Sequence, residues 1–146
     1  MIQHIEIRAL LRESPASGFT NLVTRPTGRV VRERIERALG AEDAAPVVRI
    51  DFTGVGCIDY SCADEIVAKL AARRAVLVVL RGLADGHFEA IEPVLAGHGR
   101  AILLEHPDGS LAAVGYAPAA AALLERLVAE RVAGRRPGGT LALITA

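Results

Sequence analysis

A strand, a turn and the start of a helix follow one another in the stretch VVRIDFTGVGCIDYSCAD, which runs from Val47 to Asp64. Val47–Asp51 predicts one strand, and the continuously apolar run Ala75–Leu80 predicts a second strand that is covered on both faces. Between them, Ser61–Arg73 has the periodicity of an amphipathic helix. Its apolar face consists of Ala63, Ile66, Val67 and Leu70. This order and spacing predict two parallel neighbouring strands joined by a right-handed crossover.

The residues before this stretch predict two short strands and one helix. Alternating isoleucines in Ile2–Ile7 predict a half-exposed first strand. Ser14–Gly18 has the composition of a loop, and Phe19–Val23 predicts a short second strand. Arg25–Leu39 predicts a helix, because the proline at its second residue suits a first helical turn, and Gly40 is expected to end it.

The residues after the second buried strand predict a helix and a hairpin. Asp85–His98 predicts the helix, and Pro93 is expected to shorten or kink it. Ala101–Glu105 and Leu111–Gly115 predict two strands. The intervening His106-Pro107-Asp108-Gly109 is a strong turn signal, so these two strands are expected to form a hairpin.

The C-terminal residues 116–146 predict a helix and a tail. Pro118–Ala133 predicts the helix, which Arg135–Gly139 is expected to stop. Leu141–Ile144 predicts either a final edge strand or a tail that docks on a partner, and both interpretations stay open. The chain is therefore predicted to be a single α/β domain over residues 1–146, with its core at about residues 19–115. We expect a mixed sheet of about four to six strands and about four helices.

Composition and charge exclude several classes of function. The chain has 146 residues, of which 51% are hydrophobic, so we expect a soluble domain with a buried core. Seventeen basic and seventeen acidic side chains cancel, which leaves no electrostatic footprint for nucleic acid or an anionic membrane. No signal peptide or membrane-spanning run is recognisable. We therefore expect a cytoplasmic protein with neither nucleic acid nor membrane as a partner.

The residue types that bind metals or perform catalysis are scattered. Cys57 and Cys62 are five residues apart, which fits neither a redox pair nor a zinc pair. The four histidines have no ligand spacing. Gly54-x-Gly56 follows a strand but lacks the third glycine of a dinucleotide loop. Because no nucleophile and base can be paired, we expect no metal, no cofactor and no enzymatic activity.

The start of the predicted helix at Ser61 carries the clearest functional pattern. Backbone N–H groups and a partial positive charge at a helix N-terminus can hold an anion. Asp59 or Ser61 can instead cap the helix, and Ser61 with Asp64 has the spacing of a capping box. Tyr60 either anchors an interface or folds back onto the sheet. The candidate site comprises Asp59, Tyr60, Ser61, Cys62 and Asp64.

These motifs resemble those of STAS domains, the modules found in anti-sigma factor antagonists and sulfate transporters. The resemblance is carried by Asp51-Phe52-Thr53-Gly54-Val55 and Ile58-Asp59-Tyr60-Ser61. The chain is more similar still to bacterial STAS-like domains of unassigned role, and the upstream run Thr24–Arg29 is similar to that subgroup as well. The similarity extends from about Phe19 to Leu104 and implies a STAS-like fold.

The resemblance also implies a regulatory protein–protein interaction module. In STAS antagonists, a partner kinase phosphorylates the serine directly after the aspartate, and this releases the bound histidine-kinase-type ATPase. Asp59 matches that aspartate, Tyr60 stands at the acceptor position, Ser61 matches the second hydroxyl residue, and Cys62 replaces the usual glycine. The resemblance thus implies partner binding through Gly56–Asp64. Because Tyr60 stands at the acceptor position, Ser61 is the candidate phosphorylated residue if the register of the partner shifts by one residue. The alternative is a small-ligand or nucleotide sensor that binds an anion at the helix N-terminus.

Overall fold

The computed structural model describes residues 2–12, 21–39, 47–73 and 77–144. Over these residues it contains five helices and one mixed sheet of seven strands. The α/β class is confirmed, whereas both numbers exceed the predicted four helices and four to six strands. The helices are α1 Ile7–Arg12, α2 Arg25–Leu39, α3 (residues 60–71), α4 Asp85–Gly97 and α5 Ala117–Ala129. The strands are β1 Ile2–Glu6, β2 Val47–Asp51, β3 Leu77–Arg81, β4 Ala101–Glu105, β5 Ser110–Gly115, β6 Ala133–Arg135 and β7 Leu141–Leu143.

The sheet has the order β1-β2-β3-β4-β5-β7-β6. The first four strands are parallel, with Ile5 opposite Ile50 and Ile50 opposite Leu80. The remaining strands are antiparallel, and Leu103 lies opposite Ala113 in the β4–β5 hairpin. The predicted parallel pair β2–β3, joined through α3, and the predicted hairpin are therefore both confirmed.

The two faces of the sheet are covered by different helices. Because successive residues of a strand point to opposite faces, Ile50 and Leu80 lie on one face, and Val79 and Leu103 lie on the other. Helices α2, α3 and α4 pack on the first face and form the larger core, to which α1 adds Ile7. On the second face, Leu127 of α5 packs against a smaller core of strand residues. The candidate site thus lies in the three-helix layer.

Helix α3 occupies the predicted place but begins one residue earlier and is not uniform. Its N-cap is Asp59, and its first turn is Tyr60–Ala63. A π-helical turn, Asp64–Ala68, follows before α-helical geometry resumes at Lys69–Ala71. Single π-turns inside helices are rare and occur frequently at functional sites. Glu65, which lies in this turn, contacts Arg25 and Arg32 of α2.

The C-terminal prediction needs two corrections. Helix α5 ends at Ala129, because Arg131 has a φ of 58° and the N–H groups of Arg131 and Val132 close a Schellman motif on Val128 and Leu127. Ala133, predicted to be helical, begins β6 instead. The open question about residues 141–144 is also resolved. Leu141–Leu143 form strand β7, which lies between β5 and β6 and is therefore not at the edge of the sheet.

The N-terminal predictions are partly confirmed. Ile2–Glu6 is a strand, but α1 follows it where no helix was predicted. Of the predicted strand Phe19–Val23, the described part forms a single bridge, from Leu22 to Ile58. The predicted loop Ser14–Gly18 and the helix stop at Gly40 lie outside the described residues. Pro93 does not shorten α4, which continues to Gly97.

Candidate functional site

The segment between β2 and α3 starts with two overlapping turns, one closed by the side chain of Asp51 and one closed by the backbone. Asp51 Oδ1 accepts the N–H of Thr53 at 2.8 Å, and Phe52 O accepts the N–H of Val55 at 3.0 Å. Gly54 has a φ of 82°, which glycine adopts at the third position of a type II turn without strain. The turn geometry therefore accounts for Gly54 without a bound phosphate.

The segment that enters α3 is paired with the residues that precede α2. The N–H of Leu22 donates to Cys57 O at 2.7 Å, and the N–H of Asp59 donates to Leu22 O at 3.0 Å. Asn21 Oδ1 accepts the N–H of Cys57 at 2.9 Å. These bonds bring together two sequence motifs that are about 35 residues apart.

Asp59 caps α3 and links it to Thr24. Oδ1 accepts the N–H of Cys62 and the hydroxyl of Ser61, each at 2.8 Å, and Oδ2 accepts the N–H of Thr24 at 2.8 Å. Partial burial raises the pKa of Asp59, but these hydrogen bonds outweigh it and lower the pKa to about 2. Of the two predicted caps, Asp59 is therefore the one that forms.

Thr24 has an uncommon backbone conformation for a β-branched residue. Its φ is 70°, in the left-handed region that β-branched side chains seldom adopt. The Asp59 carboxylate holds its N–H, and its carbonyl accepts both the N–H of Gly28 and the thiol of Cys62. The structure thus keeps a strained residue at the junction of the turn and α2, a feature typical of functional sites.

The predicted capping box between Ser61 and Asp64 is wrong. The Ser61 hydroxyl donates to Asp59 Oδ1, and the Asp64 carboxylate binds Arg25 and His98. The N-terminus of α3, where the alternative interpretation places an anion, already carries the carboxylate of Asp59. Since like charges repel, this carboxylate opposes a second anion at the same position.

Cys62 faces the protein interior and is fully buried. Its thiol donates to Thr24 O at 3.0 Å. Burial, together with the negative charge of Asp59, raises the pKa of Cys62 to about 12. A Cβ atom on Gly28 would lie 2.9 Å from the Cα of Cys62 and 3.0 Å from the Cβ of Glu65. The structure therefore places Cys62 inside the contact between α2 and α3, where it is not exposed at the surface.

Asp64 belongs to a cluster of charges between α2, α3 and α4. One Arg25 nitrogen donates to Asp64 at 2.7 Å and to Glu65 at 2.9 Å. His98, at the end of α4, lies 2.7 Å from the other oxygen of Asp64. The hydrogen bond from Arg25 lowers the pKa of Asp64, and that from His98 adds to the effect. Asp64 therefore joins three helices rather than standing free.

Glu65 is a member of this cluster that sequence reasoning missed. It is 1% exposed and lies 2.9 Å from Arg25, 3.4 Å from Arg32 and 3.0 Å from Lys69. Burial raises the pKa of Glu65, but the ion pairs with Lys69 and Arg25 outweigh it and lower the pKa. The spacing of Glu65 and Lys69 was the available signal, since i,i+4 pairs of opposite charge meet on a helix.

Tyr60 is the exposed member of the candidate site. It is the first residue of α3, and 63% of its surface is exposed. Beside it, an open groove of about 510 Å³ lies between α3 and α4. The lining includes Arg25, Ser61, Asp64, Pro93, Val94 and His98. The side chain of Tyr60 therefore does not fold back onto the sheet.

His87, near the start of α4, holds the segment Gly56–Asp64 at its first residue. It is buried, its Nδ1 accepts the N–H of Ala84 at 3.0 Å, and its Nε2 is hydrogen-bonded to Gly56 O. An Nδ1 that accepts carries no proton, so Nε2 is the donor. The ring also packs on Phe52, with 5.8 Å between ring centroids. His87 thus ties the start of α4 to the start of the turn.

Neither a metal-binding cluster nor a membrane-spanning helix occurs among the described residues. Among them, no group of three or more histidine, cysteine or acidic side chains is placed to hold a metal ion. No helix in the described part of the chain is both long and apolar enough to cross a membrane.

Comparison of the chain with family models, with curated proteins and with solved structures found no match in any of the three. The resemblance to STAS domains therefore rests on the residues that carry it, from Asp51 to Ser61 and from Thr24 to Arg29. The structure brings these two segments into contact through Asp59 and Thr24.

Proposed function

We propose that the protein is a regulatory interaction module of STAS-like type, which binds a protein partner through the turn Gly56–Asp64. The observation that carries the proposal is Tyr60, a large aromatic side chain held 63% exposed beside the α3–α4 groove. Tyrosine is enriched among the residues that dominate protein interfaces. Pro93 and Val94 give the groove an apolar wall against which a partner can pack.

The turn is organised before a partner binds. Asp59 closes three hydrogen bonds, and Asp64 pairs with Arg25 and His98. A surface held in one conformation loses less conformational entropy on binding, so more of the contact energy appears as affinity. This arrangement supports a docking role for Tyr60.

The resemblance suggests a histidine-kinase-type ATPase as partner and phosphorylation of Ser61 as an off-signal. The Ser61 hydroxyl lies 2.8 Å from Asp59 Oδ1, so a phosphate there would meet a carboxylate at contact distance. Two like charges about 4 Å apart near a surface repel by on the order of 4 kcal/mol. Phosphorylation would therefore break the cap and weaken a complex formed through the turn.

The proposal is tested by comparing the two exposed tyrosines. A photo-crosslinking amino acid replaces Tyr60 in one variant and Tyr116, which is 47% exposed, in the other. After irradiation in the native cell, we expect the Tyr60 position alone to capture a specific protein. That protein should bind Tyr60→Ala at least tenfold more weakly than wild type, and Tyr116→Ala unchanged. Equal capture at both positions, or equal affinity of both alanine variants, would refute the proposal.

The anion-sensor alternative has a separate test. A ligand at about 100 times its dissociation constant stabilises a protein by about 2.7 kcal/mol, which a thermal-shift panel of nucleotides and phosphates detects. Because Asp59 occupies the helix N-terminus, we expect no shift. A shift that Ser61→Ala abolishes, and that Ser110→Ala leaves intact, would instead favour the sensor.

A further inference from the structure

The sheet face opposite the candidate site is thinly covered. Among the described helices, α5 alone contributes to the core on this face, and Leu127 is its one buried residue. Val128 on the same helix is 43% exposed. The other face is covered by α2, α3 and α4, with a contribution from α1, and has a much larger core. Apolar surface therefore remains accessible around α5.

This surface includes a groove with oppositely charged walls. Helix α5 and the β6–β7 hairpin flank a volume of about 730 Å³. Leu111, Leu124, Val128 and Leu141 provide its apolar lining. Glu125 stands on the α5 wall and Arg135 on the hairpin wall, and both are exposed. Within the described chain neither forms an ion pair, and Arg135 donates a long hydrogen bond of 3.3 Å to Gly139 O.

We infer that this face binds the same face of a second copy of the chain and forms a two-fold dimer. In such an isologous contact both chains use the same surface, so if residue i of one chain contacts residue j of the other, the reverse contact forms as well. Helix α5 of one copy then faces the β6–β7 hairpin of the other, so Glu125 meets the partner's Arg135 and the reverse pair forms as well. Opposite charges on the two walls make the groove complementary to itself.

The apolar residues supply the centre of the contact. Interfaces between identical chains are richer in apolar area at their core, with charged residues at the rim. Val128 lines the groove one helical turn after Leu124, and both stand on the α5 wall. The dimer goes beyond the proposed function, because the turn at Tyr60 lies on the other layer and stays free.

The test compares two valines of equal exposure. Val128→Glu places a charge in the proposed interface, and Val30→Glu does the same on α2, where Val30 is 44% exposed. Sedimentation equilibrium from micromolar to millimolar concentration measures the dimer dissociation constant. We expect the wild type to dimerise, Val128→Glu to raise this constant roughly thirtyfold or more, and Val30→Glu to leave it unchanged.

A charge exchange provides a second measurement that does not depend on Val128→Glu folding. Glu125→Arg and Arg135→Glu should each weaken the dimer about fivefold, and the double variant should restore it. A wild-type chain that stays monomeric overturns the inference, as does a double variant no better than the singles. Tyr60→Ala should leave the dimer intact. Dissociation by Tyr60→Ala would overturn this inference, whereas absence of capture at Tyr60 would bear on the proposed function alone.

Discussion

At the scale of single residues, Asp59 determines the geometry of the turn. Its carboxylate accepts three hydrogen bonds, and the N–H groups among their donors come from two separate segments of the chain. A neutral amide can still cap α3 but presents an N–H to one of those donors. The charge of Asp59 therefore matters as well as its shape.

We predict that Asp59→Asn lowers the free energy of unfolding by about 1–2 kcal/mol near neutral pH. The pKa of Asp59 is lowered to about 2 in the folded protein, against about 3.9 when unfolded. Its contribution is thus present above pH 4 or so, and is lost as the pH falls towards about 2. The difference between wild type and variant, measured by urea unfolding, should shrink over that range. Asp85→Asn is the control, and a difference independent of pH would contradict the prediction.

The two cysteines should differ sharply in reactivity. Cys57 is exposed, whereas Cys62 is buried with its pKa raised to about 12, and the thiolate is the reactive form. We predict that a thiol-specific reagent at pH 8 or so modifies one cysteine of the native protein and both after unfolding. Cys57→Ser should abolish the native reaction. Rapid native labelling of that variant would show that Cys62 is accessible.

At the scale of elements, the contact between α2 and α3 depends on a glycine. Gly28 is buried in the middle of a contact where a Cβ atom would lie 2.9 Å from the backbone of Cys62. The π-turn Asp64–Ala68 then places Glu65 in the same contact, within reach of Arg25 and Arg32 on α2. Close approach and charge pairing therefore reinforce each other.

We predict that Gly28→Ala destabilises the protein by about 1–3 kcal/mol, because overpacking outweighs the gain in helix propensity. Gly86→Ala is the matched control, since Gly86 also lies in a helix but has nothing within 4 Å of the added Cβ. That change should stabilise by about 0.5–1 kcal/mol. Thermal unfolding of both variants measures the contrast, and effects of the same sign would contradict it.

At the scale of the whole molecule, carboxylates that are hydrogen-bonded or ion-paired make the free energy of unfolding fall at acid pH. The pKa values of several acidic side chains are lowered in the folded protein, namely Asp51, Asp59, Asp64, Glu65 and Asp108. A group with a lowered folded pKa stabilises above its unfolded pKa and ceases to do so as the pH falls through its folded value. We predict that the urea midpoint stays constant from about pH 7 to 5 and then falls steeply towards pH 3. A midpoint unchanged at pH 3 would contradict this.

The two sides of the molecule are proposed to serve different contacts. The three-helix layer presents Tyr60, and the α5 layer presents Val128. Since each lies on its own face of the sheet, partner binding and dimerisation can occur together. The two proposed surfaces are kept apart by the sheet itself, because its two faces carry separate cores.

Local patterns in the sequence determined most of the elements. The apolar strands β2 and β3, the helix between them and the β4–β5 hairpin follow from periodicity and turn residues, which act over a few positions. Asp59 was recognisable as a cap for the same reason. Arg131, by contrast, ended α5 early without a glycine to signal it.

Only the tertiary structure decided how the site is assembled. The bonds from Asp59 to Thr24 and from Arg25 to Glu65 join residues 35 and 40 positions apart, and no local pattern encodes such distances. Likewise, β7 was recognisable as a strand candidate, but its place between β5 and β6 depends on which backbone edges remain free. The sequence by itself determined the turn and its candidate residues. The packing of α2 against α3 decided that Cys62 is buried and Tyr60 exposed, because a close helix contact can cover one face of a helix only.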